Sequence, residues 1–254
     1  LLQEARTDPL FENYDVIMVD EAHERSLNID FTLGLLHRAV KESNLRVIIS
    51  SATLNPKQFQ DFFSDIVPEV PVISIDARPH PVELLYRPPE YDDRHGICDA
   101  AAKQVMRIHR SGQPGHVLVF MPGEAMIHET MERIADMRPG ANMVILPLFG
   151  RLTREEQEQV FMDVGDRRKV VVSTNIAETS ITIDNVRYVI DAGWAKVPRI
   201  QRQTGITALR EEGISQASAA QRAGRAGRTA PGKAIRLYHE HTLRTRPEFT
   251  DEEI

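Results

Sequence analysis

Apolar residues in this chain gather in short unbroken runs, not in strict alternation. Runs at 16–19, 47–49, 117–120, 144–146, 170–172 and 188–190 are rich in β-branched residues. Runs of this kind predict strands buried on both faces, as in a parallel sheet. Stretches of helical period lie between them. Asn55-Pro56 reads as an N-cap followed by proline at the first helical position, opening a helix that carries Phe59, Phe62 and Phe63. A second helix is expected from Gly123 to Met137, with Met126, Ile127, Met131 and Ile134 on one face. Thr153 and Glu156 have capping-box spacing and predict a third, which carries Val160 and Phe161. Strand and helix in alternation give an α/β fold. The alternation pauses between Val67 and Tyr91, where prolines stand at 68, 71, 79, 81, 88 and 89. Such density predicts a stiff, extended connection. The expected organisation is a first unit over 1–76, a linker over 77–94, a second unit over 95–240 and a further region from 241 to 254.

The composition narrows the class. Of 254 residues, 41% are hydrophobic and 27% charged, an ordinary soluble balance. No apolar run approaches the ~20 residues that span a bilayer, and no basic-then-apolar leader opens the chain. The lone Cys98 excludes a disulfide framework and a cysteine-based zinc site within these residues, and fits a reducing compartment: the cytoplasm, or the nucleus in a eukaryote. Net charge is −6, yet from Arg187 to Arg246 twelve Lys/Arg stand against four Asp/Glu. That stretch reads either as a solvated basic face or as a phosphate-facing surface.

Four segments carry candidate chemistry. Asp20-Glu21-Ala22-His23 directly follows the run at 16–19. Ligands of open parallel sheets collect at the carboxyl ends of strands. Two adjacent acids there suit a metal–phosphate site, one holding Mg²⁺ and the next polarising water, although a plain polar strand exit has the same composition. Ser51-Ala52-Thr53 follows the next run and reads as a capping turn, or as hydroxyls linking neighbouring strand ends. Residues 173–184, Ser173-Thr174-Asn175-Ile176-Ala177-Glu178-Thr179-Ser180-Ile181-Thr182-Ile183-Asp184, crowd hydroxyls, an amide and two acids after the run at 170–172. Such a turn offers N–H groups and short polar side chains to phosphates and riboses, or is a surface loop. In Gln221-Arg222-Ala223-Gly224-Arg225-Ala226-Gly227-Arg228, helical spacing would put Gln221, Arg225 and Arg228 on one face and Arg222 on another. Two glycines inside a helix cost roughly 1 kcal/mol each, which points to a function served at the expense of stability. Guanidiniums there match phosphate oxygens; a solvated basic helix is the alternative.

In this order, the segments resemble the DEAH-box family of superfamily 2 helicases: Asp20–His23 resembles motif II, Ser51–Thr53 motif III, Leu118–Gly123 motif IV, residues 173–184 motif V and Gln221–Arg228 motif VI. The resemblance implies two RecA-like parallel-sheet domains, the first incomplete here, that clamp ATP and bind single-stranded RNA. Asp20 and Glu21 would hold Mg²⁺, and Glu21 would activate the hydrolytic water. His23, Ser51 and Thr53 would couple that site to the rest. Gln221, Arg225 and Arg228 would reach the terminal phosphates, Thr182 and Asp184 would face the ribose side, and Phe161 would stack on the base. The bland alternative for Phe161 is a core position. Gly123, Thr174 and Asn175 would touch RNA, and residues 192–213 would form a β-hairpin turning near Thr204-Gly205. Relatives often carry Asn-Pro or Asp-Pro before that turn, where this chain has Gln201-Arg202-Gln203. No Gly-x-x-x-x-Gly-Lys-Ser/Thr loop occurs in these residues, so a truncated piece is expected, inactive by itself, with an exposed sheet edge or apolar face on its first unit. A DNA helicase or translocase and a non-catalytic RNA-binding scaffold are the competing readings.

Overall fold

In a computed structural model, the structure describes residues 1–22, 25–51, 56–74, 80–178, 181–200 and 207–249. The chain divides into two compact units, residues 1–77 and residues 78–250.

In the first unit β1 (Val16–Val19), α1 (Leu27–Glu42), β2 (Arg46–Ile49) and α2 (Lys57–Phe63) follow one another. The two strands pair in parallel, Val16 opposite Arg46 through Val19 opposite Ile49. Ser26 caps α1, its hydroxyl accepting from the Ile29 N–H at 3.3 Å. Leu33, Leu36 and Ala39 of that helix pack on Ile17, Val19 and Phe63. The opposite face of the strands stays open: Val16, Met18 and Ile48 are each about half exposed. The run at 16–19 is thus buried on one side only, unlike the two-sided burial its composition suggested. Asn55, expected to cap α2, lies outside the described residues; the cap position is held by Pro56.

The second unit runs β3 (Val82–Tyr86), α3 (Arg94–Arg110), β4 (His116–Phe120), α4 (Glu124–Asp136), β5 (Met143–Leu148), α5 (Arg154–Glu158), β6 (Arg168–Ser173), β7 (Val186–Asp191), β8 (Trp194–Ile200), β9 (Thr207–Gly213), α6 (Gln216–Gly224), β10 (Gly232–Arg236) and α7 (Glu240–Arg244). Among the described residues six strands form one parallel sheet in the order β3-β10-β7-β4-β6-β5. The α/β expectation holds. Successive residues of the central strands feed two cores. Val117, Val119, Val170 and Val172 pack with α3 and α4 on one side. Leu118, Phe120 and Val171 pack with Val160, Ala177 and Ala223 on the other. Each such side chain contributes about 1.5–3 kcal/mol on burial, which is why these runs admit no polar residue.

The stretch expected as a linker over 77–94 contains β3, paired along its whole length with β10. Prolines border this strand because it forms the edge of the sheet, where a missing N–H costs no ladder bond. β8 and β9 pair antiparallel, Trp194 opposite Gly213 through Ile200 opposite Thr207. The expected hairpin is therefore present, while its turn, with Gln201-Arg202-Gln203 and Thr204-Gly205, lies outside the described residues.

Candidate functional site

The acidic motif sits where parallel strands end. Beyond β1, the Ala22 N–H donates to the Ser50 carbonyl at 3.0 Å, and the Ser50 N–H donates to the Val19 carbonyl at 2.8 Å. These bonds bring the exits of β1 and β2 together, so Asp20, Glu21 and Ser51 share one end of the sheet. Asp20 and Ser51 are exposed and Glu21 is half-buried. The Glu21 N–H donates to the Asp20 carboxylate at 2.9 Å. Glu21 has φ 52°, in the left-handed region. For a non-glycine residue that conformation costs about 1–2 kcal/mol, and it turns the chain sharply between the two acids. Adjacent carboxylates suit Mg²⁺, which takes one or two from protein and the rest of its shell from water and phosphate. His23 and Thr53, expected to couple this site to the rest, lie outside the described residues.

In the second unit, the loop after β6 and the arginine-rich segment are locked together. Arg222 is fully buried. Its Nη1 donates to Asp191 at 2.7 Å and its Nε to Glu178 at 3.0 Å. The guanidinium carbon also lies 4.8 Å from the centre of the Phe120 ring. Burial alone would lower the Arg222 pKa; Asp191 and Glu178 outweigh it and raise it. Asp191 further accepts from the Tyr238 hydroxyl at 2.8 Å and from the Gly193 N–H at 2.9 Å. Burial, with the Asp191 carboxylate next, pushes the Tyr238 phenol up.

Arg225 and Arg228 tie the same two segments, the first buried and the second at the surface. Arg225, 6% exposed, donates to the Ile181 carbonyl at 2.7 Å and to the Glu178 carbonyl. Arg228, exposed, donates to the Thr182 hydroxyl. Gln221 is half-buried. Of the three residues expected on one helical face, Arg225 and Arg228 both reach the segment 178–182. The α-helix stops at Gly224 and continues as a 3₁₀ turn, Arg225–Gly227, in which side chains three apart eclipse. Gly227 has a packing reason: a Cβ there would stand 2.5 Å from the His80 carbonyl oxygen. The close approach this glycine permits is to the chain leading into β3.

Of the remaining predicted residues, Gly123, Thr174 and Asn175 follow the carboxyl ends of β4 and β6, while Phe161, Thr182 and Asp184 lie in segments leading into the amino ends of β6 and β7. Thr182, bonded to Arg228, and Asp184 are exposed. Phe161 is 53% exposed, which removes the core reading. Thr174 is half-buried, its N–H donating to the Leu148 carbonyl at 3.1 Å, and exposed Asn175 opens a 3₁₀ turn. Gly123 caps α4, and a Cβ on it would lie 2.9 Å from the Lys196 ammonium. Glu178, Asp191, Lys169 and Lys196 went unassigned in the sequence reading. Only Glu178 carried a signal there, as one of the two acids of its segment.

The helicase conserved C-terminal domain family matches residues 100–230. The chain belongs to that family. Among whole proteins, this helicase chain is similar to the ATP-dependent RNA helicase HrpA of Borreliella burgdorferi, with 43% identity over 256 residues, covering 100% of this chain and 31% of that protein. It is similar to Escherichia coli HrpA at 42% over 262 residues, covering 100% and 19%. The pre-mRNA-splicing factor ATP-dependent RNA helicase prp22 of Schizosaccharomyces pombe is 41% identical over 254 residues, covering 96% and 21%. The crystal structure of the E. coli DEAH/RHA helicase HrpB matches with a TM-score of 0.87 at 34% identity, covering 99% of this chain and 32% of that one. The resemblance to DEAH-box helicases drawn from the motifs holds. The chain spans about a third or less of the length of these relatives.

Proposed function

We propose that this chain is part of an ATP-dependent RNA helicase that couples nucleoside-triphosphate hydrolysis to movement along single-stranded RNA, working in the cytoplasm. One observation carries the reading. The loop after β6 and the segment 221–228 are joined through Arg222, Arg225 and Arg228, so a ligand that moves one moves the other. Asp20 and Glu21 hold Mg²⁺, which supplies charge neutralisation at the phosphates. Glu21 orients and deprotonates the attacking water. Arg228 reaches the terminal phosphate, aided by Gln221 and by Arg225, which main-chain carbonyls aim. Thr182 and Asp184 border the ribose, and Phe161 stacks on the base. Stacking tolerates any base, so other nucleoside triphosphates serve as well as ATP. On the RNA side, Thr174, Asn175 and the N-terminus of α4 at Gly123 meet backbone phosphates, with Lys196 adding positive charge. The names of the relatives favour RNA over DNA. Ser51 relays the nucleotide state, with His23 and Thr53.

In the intact helicase, Glu21→Gln is expected to lower RNA-stimulated ATP hydrolysis by about 10²–10⁴-fold while nucleotide binding persists. Hydrolysis at the parental rate would remove Glu21 from the reaction. Stimulation by single-stranded DNA equal to that by RNA would favour a translocase on either polymer.

A further inference from the structure

Phe161 stands on a 3₁₀ turn, Gln159–Phe161, that continues the short helix α5. The turn sorts its side chains sharply: Val160 is fully buried in the core while Phe161 points outward. At Met162 the chain leaves helical geometry, with φ −59° and ψ 138°. A five-residue helix and one 3₁₀ turn are too short to fix such an exposed aromatic by themselves. The fixing group comes from the sheet. Lys169 of β6, 4% exposed, donates from Nζ to the Val160 carbonyl at 2.6 Å and to the Met162 carbonyl at 2.6 Å. These two carbonyls flank Phe161 on either side. The Lys169 backbone N–H donates in turn to His116 Nδ1 at 3.1 Å.

A buried ammonium is a costly way to close a helix end, because an apolar side chain of the same length would fill the space without desolvating a charge. Burial lowers the Lys169 pKa, while Asp163 and Asp184 act the other way. An ordinary lysine at a helix terminus caps the last carbonyls from the solvent side. Lys169 reaches them from inside, and its two bonds straddle the one exposed ring of the turn. The Val160 carbonyl lies in the peptide plane that enters Phe161 and the Met162 carbonyl in the plane one residue beyond it, so the backbone that carries the Phe161 Cα–Cβ bond is held at both ends.

We propose that Lys169 is a positioning residue for nucleotide binding, holding the 160–162 backbone so that the Phe161 ring is set as a base platform before nucleotide arrives. The inference rests on the reading of Phe161 as that platform. Preorganisation lowers the cost of binding and should act on base-bearing ligands alone.

The test uses the intact helicase, with dissociation constants for ADP, GDP and inorganic pyrophosphate measured by calorimetry and kcat measured with ATP. Phe161→Ala is expected to weaken ADP and GDP about tenfold and to leave pyrophosphate unchanged. Lys169→Met should weaken both nucleotides about three- to fivefold, again with pyrophosphate unchanged and kcat within about twofold. The double variant should bind no worse than Phe161→Ala alone, since the two residues act as one unit. If Lys169→Met does not fold, Lys169→Arg keeps the buried charge but not the two-carbonyl geometry, and weaker nucleotide binding is again expected. A strong Phe161→Ala effect beside parental binding in both Lys169 variants overturns the role of Lys169 and leaves the platform intact. A silent Phe161→Ala overturns the platform reading and this inference with it. Equal loss of pyrophosphate and nucleotide binding in the Lys169 variants would mean a merely structural residue, and overturns the inference as well.

Discussion

Arg222 shows what a single residue can hide. It lies amid arginines suited to meeting phosphate, yet it turns into the core and satisfies Asp191 and Glu178 there. Removing it would leave two carboxylates buried or nearly so, with their main partner gone. Arg222→Ala is therefore expected to cost roughly 3–5 kcal/mol in urea unfolding of the chain. Combining it with Asp191→Asn should cost clearly less than the sum of the two single changes. An Arg222→Ala loss below about 0.5 kcal/mol would show that the pair does not hold the segments together. No local pattern announces this pairing. Asp191 is 31 positions from Arg222 and Glu178 is 44, so only the folded sheet brings them together. The acids at 20 and 21 were legible for the opposite reason: they are neighbours in sequence, directly after an apolar strand.

At the level of elements, α3 and α4 are clipped by Glu129, which accepts from Arg94 at 3.1 Å and from Arg133 at 2.9 Å and pairs with His95. Burial alone would raise the Glu129 pKa, but these donors outweigh it and hold the carboxyl below the usual range. A depressed carboxylate contributes stability above its unfolded pKa and loses it as pH falls through the folded value. Glu129→Gln should thus cost about 1 kcal/mol at pH ~7, and the gap to the parent should close below pH ~4. A gap that stays constant across that range would mean the clip is not ionic. The elements themselves were readable to different degrees. β4, β6 and β7 announced themselves because their central runs, 117–120, 170–172 and 188–190, are apolar at every position. β3, Val-Glu-Leu-Leu-Tyr between prolines, read as connection because an edge strand keeps one side open to solvent and tolerates charge. In the segment 221–228 the α-helix ends at Gly224 and a 3₁₀ turn follows, a change that residue spacing does not announce.

Over the whole molecule, the proposed reading requires the acids of the first unit and the arginines of the second to act on one nucleotide. Each half of that machinery has its own support within its unit: the paired strand exits set Asp20 and Glu21 at one sheet end, and the locked loops set Arg228 beside Thr182. The most direct test is a structure of the intact helicase with Mg²⁺ and a non-hydrolysable ATP analogue. It should show Glu21, directly or through one water, and the Arg228 guanidinium on the same terminal phosphate. Nucleotide bound by one unit alone, with Arg228 still on Thr182 and the acids turned away from the phosphates, would contradict the proposal.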